Sequence, residues 1–122
     1  ESGAESITAW GSGEPTREFL YVEDAAGGIL SATKQLNQSK PVNLGSGDEV
    51  SIQNLVEMIA NLTEFDGHIR WDTSKPDGQM RRRLDTSRAR KWFDWEATTD
   101  FEEGLRRTIK WFEQNKQTIG AQ

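Results

Sequence analysis

Trp10-Gly-Ser-Gly-Glu-Pro-Thr-Arg17-Glu-Phe-Leu-Tyr-Val-Glu-Asp24 is the stretch of this 122-residue chain that decides its fold. The glycines after Trp10 predict a tight turn, and Arg17–Val22 is typical of an extended segment. Asp24 is placed to cap a helix that runs to about Asn37. A turn, an extended segment and a helix in this order indicate a domain that mixes strands with helices.

Apolar residues at helical spacing predict three main helices, over Asp24–Asn37, Ser51–Leu62 and Asp100–Lys116. Ser51 is the expected cap of the second helix, and Thr99 with Glu102 forms the capping box expected to open the third. The residues expected on the buried face of each helix are Ala25, Ile29, Leu30, Thr33 and Leu36 for the first, Ile52, Leu55, Val56, Ile59 and Leu62 for the second, and Phe101, Leu105, Ile109 and Phe112 for the third.

Short segments between the helices complete the predicted fold. Strands are expected at Ile7–Trp10, Pro41–Leu44 and His68–Trp71, a brief extended segment at Arg83–Asp85, and a short helix at Ser87–Phe93. The sequence therefore predicts one α/β domain, α+β-like and small, that spans residues 1–122.

Composition excludes several classes of protein. The chain has no cysteine, so disulfides and thiolate metal sites are excluded, and ten Trp and Phe residues argue against disorder. The net charge of -5 argues against nucleic acid as a partner. No apolar run approaches the ~20 residues of a membrane span, and no signal peptide is evident, so the cytoplasm is the expected location and no membrane partner is expected.

Two residues of the opening stretch are candidates for ligand binding. The guanidinium of Arg17 could form paired hydrogen bonds with a diphosphate, or it could pair with a nearby carboxylate such as Glu14, Glu18 or Glu23. Trp10 could stack on a nucleobase, although the residue alone favours a place in the core.

A second polar stretch carries the other candidates. Three arginines in a row, Arg81 to Arg83, cannot all face one way if the segment is extended, because alternate side chains point to opposite faces. Arg82 could therefore meet a phosphate from one face, or Arg81 with Arg83 from the other. The alternative is a solvated basic run that balances Asp72, Asp77 and Asp85. Asp77 lies in a Pro-Asp-Gly sequence, and a turn alone accounts for it, although it could accept a ribose hydroxyl.

Other features carry no catalytic chemistry. The Gly45-Ser-Gly47 sequence lacks the lysine of a phosphate-binding loop, so a turn is expected there. The one histidine, His68, is expected at the surface, and no pair of carboxylates or metal-ligand cluster is indicated. No catalytic, cofactor-binding or metal-binding residue is therefore predicted.

The two polar stretches together carry a resemblance to a known family. The opening stretch and Ser74-Lys-Pro-Asp77-Gly-Gln-Met-Arg-Arg82-Arg-Leu-Asp85 resemble the substrate-binding half of extended short-chain dehydrogenases/reductases, the NAD-dependent epimerase/dehydratase family, and within it the GDP-L-fucose synthases. The likeness extends to the terminal helix. It implies the small α/β substrate domain of that family, and substrate contacts by Trp10, Arg17, Asp77 and Arg82. Met80 stands where the family usually has proline.

The resemblance also implies what this chain lacks. The family uses NADP or NAD and a tyrosine followed four residues later by lysine, whereas Tyr21, the one tyrosine here, is followed by Ala25. The glycine-rich turn that seats the cofactor pyrophosphate is also missing. We therefore expect no cofactor in this chain and no hydride transfer by it alone.

Two functional classes follow from this. The chain could be the substrate-binding portion of an NAD(P)-dependent nucleotide-sugar epimerase/reductase, present as a fragment or truncated form, with a GDP-sugar as the favoured ligand. Alternatively, it could be a free-standing module that binds a nucleotide sugar or a protein without catalysis. In either case the expected further partner is a second copy of the chain or the missing cofactor domain.

Overall fold

The computed structural model describes residues 5–120, so the ends of the predicted domain, residues 1–4 and 121–122, lie outside the described residues. Five strands and four helices are formed in the order β1, β2, α1, β3, α2, β4, β5, α3, α4. Their bounds are β1 Ser6–Trp10, β2 Thr16–Glu18, α1 Val22–Gln35, β3 Glu49–Ser51, α2 Ile52–Leu62, β4 His68–Asp72, β5 Arg81–Arg82, α3 Ser87–Phe93 and α4 Phe101–Ile119. The predicted small α/β fold is confirmed.

The described residues form two compact units, residues 5–19 with Gly47–Asp85, and Leu20–Ser46 with residues 86–120. The first, the strand unit, holds all five strands and α2. Its two sheets are a parallel pair of β1 and β4 and a three-stranded sheet in the order β3-β2-β5, in which β2 runs antiparallel to β3 and parallel to β5. The second, the helix unit, holds α1, α3 and α4.

Helix α2 forms as its sequence predicts. The Ser51 hydroxyl accepts a hydrogen bond from the amide of Asn54 at 3.1 Å, so it is the cap of this helix. Such a cap satisfies one of the amides that the first turn leaves without a partner. The strands expected at Ile7–Trp10 and His68–Trp71 and the short helix at Ser87–Phe93 are also confirmed.

The predicted caps of the other two main helices are wrong. Asp24 lies inside the first turn of α1, which begins at Val22, and its carboxylate accepts a hydrogen bond from the amide of Thr99 at 2.9 Å. Asp100 rather than Thr99 caps α4, because the Asp100 carboxylate accepts from the amide of Glu103. Helix α1 has Tyr21 at its N-cap and no side-chain cap, whereas in α4 the cap is one residue later than predicted.

Three predicted extended segments also differ from the structure. Residues 41–44 form no strand, since Val42 and Leu44 pack as irregular chain against the core of the helix unit. The strand expected within Arg17–Val22 is Thr16–Glu18, because α1 already begins at Val22. The extended segment expected at Arg83–Asp85 is two residues earlier, at Arg81–Arg82.

The core of the helix unit is small. Ala89, Phe93 and Trp95 are buried, and α1 packs against this cluster through the side that carries Gly28. A Cβ on Gly28 would come within 2.9 Å of both Leu44 and Trp95, so only glycine allows α1 to pack this closely. Glycine in a helix costs roughly 1 kcal/mol relative to alanine, and the close packing at Gly28 offsets this cost.

The buried faces predicted for α1 and α4 are wrong in part. On α1, Ile29 and Leu30 are exposed, and the side that packs against the core carries Gly28 and Ala32. On α4, the predicted stripe is half-buried as far as Ile109, but Phe112 is exposed. No helix in residues 5–120 combines the length and the apolar character that crossing a membrane requires.

Candidate ligand site in the strand unit

The candidate site begins where β1 and β4 end side by side. Trp10 is the last residue of β1 and is paired in register with Asp72. Its side chain is 73% exposed, so the core interpretation of this residue is wrong. The Nζ of Lys75 lies 5.4 Å from the centroid of the Trp10 ring, in cation–π range. Trp10 therefore offers an exposed aromatic surface beside a positive charge.

The turn after Trp10 requires glycine. Gly11 has a φ of +86°, in the region that favours glycine, and a Cβ at this position would clash with Oδ1 of Asp77. The Gly11 amide donates to the carbonyl of Asp72 at 2.9 Å, which continues the β1–β4 pairing into the turn. This turn brings Ser12 against Asp77.

Within residues 5–120, the side chain that holds Asp77 is that of Ser12, together with the Ser12 amide. The Ser12 amide donates to Oδ1 of Asp77 at 2.6 Å, and the Ser12 hydroxyl donates to Oδ2 at 2.8 Å. These hydrogen bonds, the one from the amide first, hold the pKa of Asp77 below its usual value. The hydrogen-bonded turn near this site runs from Asp72 to Lys75, earlier than the Pro-Asp-Gly sequence, in which Gly78 has a φ of +74°.

Arg17 forms none of the ion pairs considered for it within its own unit. Its Nη1 donates to the backbone carbonyls of Thr16 and Gln79, both at 2.7 Å. No ion pair with Glu14 or Glu18 is present among the described residues. The guanidinium is therefore fixed in place by neutral acceptors, and within residues 5–120 of its unit no carboxylate pairs with it.

The three consecutive arginines are divided as strand geometry requires. Arg81 pairs with Glu49, with Nη2 to Oε2 at 2.6 Å, a carboxylate that was not among the three aspartates expected to balance the basic run. This ion pair lowers the pKa of Glu49 and raises that of Arg81. Arg82 has no side-chain hydrogen bond or ion pair within residues 5–120, and it is exposed.

The strand register brings Arg17 and Arg82 together. They are paired residues of the parallel strands β2 and β5, as are Thr16 and Arg81. Register partners on adjacent strands project to the same face, and the neighbours along the chain project to the other. One face therefore carries the Arg81–Glu49 ion pair, and the opposite face carries two arginines without a carboxylate. The alternation of the three arginines predicted this division, and the strand register places Arg82 beside Arg17.

The site contains no group that could hold a metal, since residues 5–120 include no suitable cluster of His, Asp or Glu. The residues also do not fit a nicotinamide cofactor, because the chain lacks the glycine-rich fingerprint. Tyr21, in the helix unit, packs against Gly104 and lies 5.8 Å from the guanidinium of Arg107. The arrangement in the strand unit is thus suited to binding an anion and an aromatic ring. His68 is exposed, as predicted.

Known proteins with similar sequences and structures share this region. The family model described as GDP-mannose 4,6 dehydratase matches residues 1–108. A probable GDP-L-fucose synthase 1 from Oryza sativa subsp. japonica is 38% identical over 114 residues, which are 93% of this chain and 34% of that protein. The UDP-glucuronic acid decarboxylase 1 from Danio rerio is 38% identical over 108 residues, 88% of this chain and 26% of that protein.

A solved structure agrees with these sequence matches. The GDP-L-fucose synthetase from Naegleria fowleri, solved bound to NADP, superposes with a TM-score of 0.84 at 31% identity, over 93% of this chain and 36% of that one. The chain thus spans about a third of the length of the relatives it matches.

Proposed function

Because this chain belongs to the GDP-mannose 4,6 dehydratase family, we propose that it is the substrate-binding portion of a cytoplasmic nucleotide-sugar epimerase or reductase similar to GDP-L-fucose synthase. Its ligand in this proposal is the nucleoside diphosphate part of a GDP-sugar. The whole chain, residues 1–122, acts as one substrate-binding domain.

The pairing of Arg17 with Arg82 is the observation that carries the proposal. Two guanidinium groups on one face of β2 and β5, both without a carboxylate, match the two charged phosphates of a nucleoside diphosphate. Arginine suits this role because its planar donors form two parallel hydrogen bonds with phosphate oxygens. Arg17 is the better fixed of the two, since backbone carbonyls hold it.

Trp10 and Asp77 bind the nucleoside in this proposal. The exposed indole ring of Trp10 offers a face on which a base can stack. Lys75, whose Nζ lies 5.4 Å from the ring centroid, is close to this face. The ionised carboxylate of Asp77 accepts two hydrogen bonds from Ser12, and a carboxylate has about four acceptor positions, so it can also accept from a ribose hydroxyl.

We assign the chemical step of the reaction to the part of the relatives that this chain does not cover. The relatives are about three times as long, and the Naegleria fowleri protein binds NADP. Seating the cofactor and moving the hydride would require a fingerprint and a Tyr-x-x-x-Lys pair, which these 122 residues lack. By itself, this chain binds substrate and does not turn it over.

Calorimetry of the chain against nucleotides tests the proposal. We expect heat of binding with GDP and GDP-sugars, and weaker or no binding with UDP- and dTDP-sugars. Uridine nucleotides are the informative control because a UDP-glucuronic acid decarboxylase is as similar in sequence as the GDP-L-fucose synthases. Absence of binding to every nucleotide at millimolar concentration would contradict the proposal, and equal binding to GDP and UDP would contradict the base preference.

A second surface in the helix unit bears on the partners of the chain. Val22, Ile29 and Leu30 of α1 are between 59% and 69% exposed, whereas Gly28 and Ala32 of the same helix pack on the core. A helix that is apolar on both sides is normally buried. We propose that the cofactor-binding portion of the same enzyme covers this α1 face, because it is the part of the relatives that this chain leaves unmatched.

We expect the isolated chain to self-associate through the α1 face, since exposed apolar surface tends to find a partner. Light scattering over a concentration series should show an increase in mean mass up to that of a dimer. Ile29→Glu should keep the chain monomeric, whereas Leu84→Glu, a change at an exposed leucine of the strand unit, should leave the association unchanged. A monomer at high micromolar concentration would show that the α1 face does not need to be covered.

A further inference from the structure

Among residues 5–120, Ser12 is the residue that donates hydrogen bonds to the Asp77 carboxylate, and the sequence analysis did not single it out. The two residues are 65 positions apart, and both are half-buried. Both oxygens of Asp77 accept from Ser12, one from the amide and one from the hydroxyl. A two-point contact of this kind fixes the plane of the carboxylate as well as its position.

The Ser12–Asp77 contact also links the two segments that carry the proposed ligand contacts. Ser12 lies two residues after Trp10, and Asp77 lies two residues before Gln79, whose carbonyl holds Arg17. Residues 76–79 belong to no strand or helix, so side-chain contacts hold this loop in place. Loss of one of them would let the loop move relative to Trp10.

We propose that Ser12 is a positioning residue of the ligand site, which orients the Asp77 carboxylate so that its remaining acceptor positions meet a ribose hydroxyl. This inference rests on the proposed function, since it assigns the ribose to Asp77. Ser12 itself does not touch the ligand. Its hydroxyl also accepts from the amide of Glu14 at 3.1 Å, so the hydroxyl proton is directed at Asp77.

A dependence on pH follows from this arrangement. The charged groups on the neighbouring segments are Glu14, Arg17, Asp72 and Lys75, yet the pKa of Asp77 is lowered by the Ser12 hydrogen bonds and opposed only by partial desolvation. A carboxyl whose pKa is lowered in the folded state stabilises the fold at pH values above its ordinary pKa. This stabilisation is lost as the pH falls through the lowered pKa of the folded state. Removing the hydroxyl of Ser12 should move this loss to higher pH.

The test combines a measurement without ligand and one with it. In the chain labelled with ¹³C at Asp carboxyls, the titration of Asp77 should move to higher pH in Ser12→Ala and stay near that of the wild type in Ser12→Thr, which restores a hydroxyl. Ser74→Ala is the matched control, because the Ser74 hydroxyl binds another aspartate of this unit, Asp72, at 2.5 Å. Circular dichroism should show all variants folded.

With ligand, the affinities for GDP and 2′-deoxy-GDP are compared. We expect the wild type to prefer GDP, Ser12→Ala to bind GDP about 5- to 10-fold more weakly and to lose most of this preference, and Ser12→Thr to retain it. An unmoved titration of Asp77 in Ser12→Ala, or an unchanged preference for GDP, would overturn the inference and leave the proposed function standing. Failure of the wild type to bind GDP would instead overturn the proposed function, and the assignment of the ribose with it.

Discussion

Phe93→Ala is expected to destabilise the chain by about 3–5 kcal/mol, the usual cost of removing a buried phenyl ring. Phe93 is 3% exposed and lies at the end of α3, between Ala89 and Trp95. These three are the buried residues of the core cluster in the helix unit. Alanine would leave a cavity among these residues and the half-buried side chains that pack against them, such as Leu20, Leu36 and Leu44, and this cavity adds to the lost transfer free energy of the ring.

Urea unfolding followed by circular dichroism measures this loss, and Phe112→Ala is its matched control. Phe112 is the same residue type in the same unit, but it is 53% exposed on α4. Its removal should change the free energy of unfolding by less than about 1 kcal/mol. If the two variants lost equal stability, the core would not be centred on α3, and Phe112 would have to be covered in solution.

The helices show what the sequence can predict. In α2, Ser51 caps the helix as predicted, and the predicted apolar stripe is half-buried except at Ile59, which is 37% exposed. In α1, apolar residues occur on two sides, and the period alone cannot say which side faces the core. Gly28 decides it, because the absence of a side chain lets α1 approach Trp95 closely. A glycine counts against a helix in propensity scales, so its packing role was not visible in the sequence.

The ligand site was predictable in its parts but not in its connections. The residue types and the alternation of the three arginines indicated anion binding, and both are local properties. That Arg82 lies beside Arg17 depends on the register of β2 and β5, two strands of two or three residues with 62 residues between them. The contact of Ser12 with Asp77 is of the same kind. Ser12 and Asp77 lie in separate stretches of the sequence, and only the folded chain brings them together.

Arg17→Ala is expected to weaken the binding of GDP by roughly 2–3 kcal/mol, the scale of a paired, charge-assisted contact, or about 30- to 150-fold in Kd. The side chain is held by the carbonyls of Thr16 and Gln79 and has no carboxylate partner in the part of the chain that is described, so its charge is available to a phosphate. Arg17→Lys should recover only part of the affinity, because lysine keeps the charge but loses the planar pair of donors.

Arg82→Ala, on strand β5, distinguishes an effect on ligand binding from an effect on stability. Arg17 also supports the loop at Gln79, so its removal could weaken binding indirectly, whereas the Arg82 side chain has no hydrogen bond or ion pair among residues 5–120. Arg82→Ala should therefore weaken GDP binding without changing the unfolding midpoint. Arg70→Ala, at an exposed arginine of β4 in the same unit, should change neither. Calorimetry that finds wild-type affinity in both Arg17→Ala and Arg82→Ala would contradict the assignment, because the face of β2 and β5 would then hold two uncompensated positive charges with no phosphate to bind.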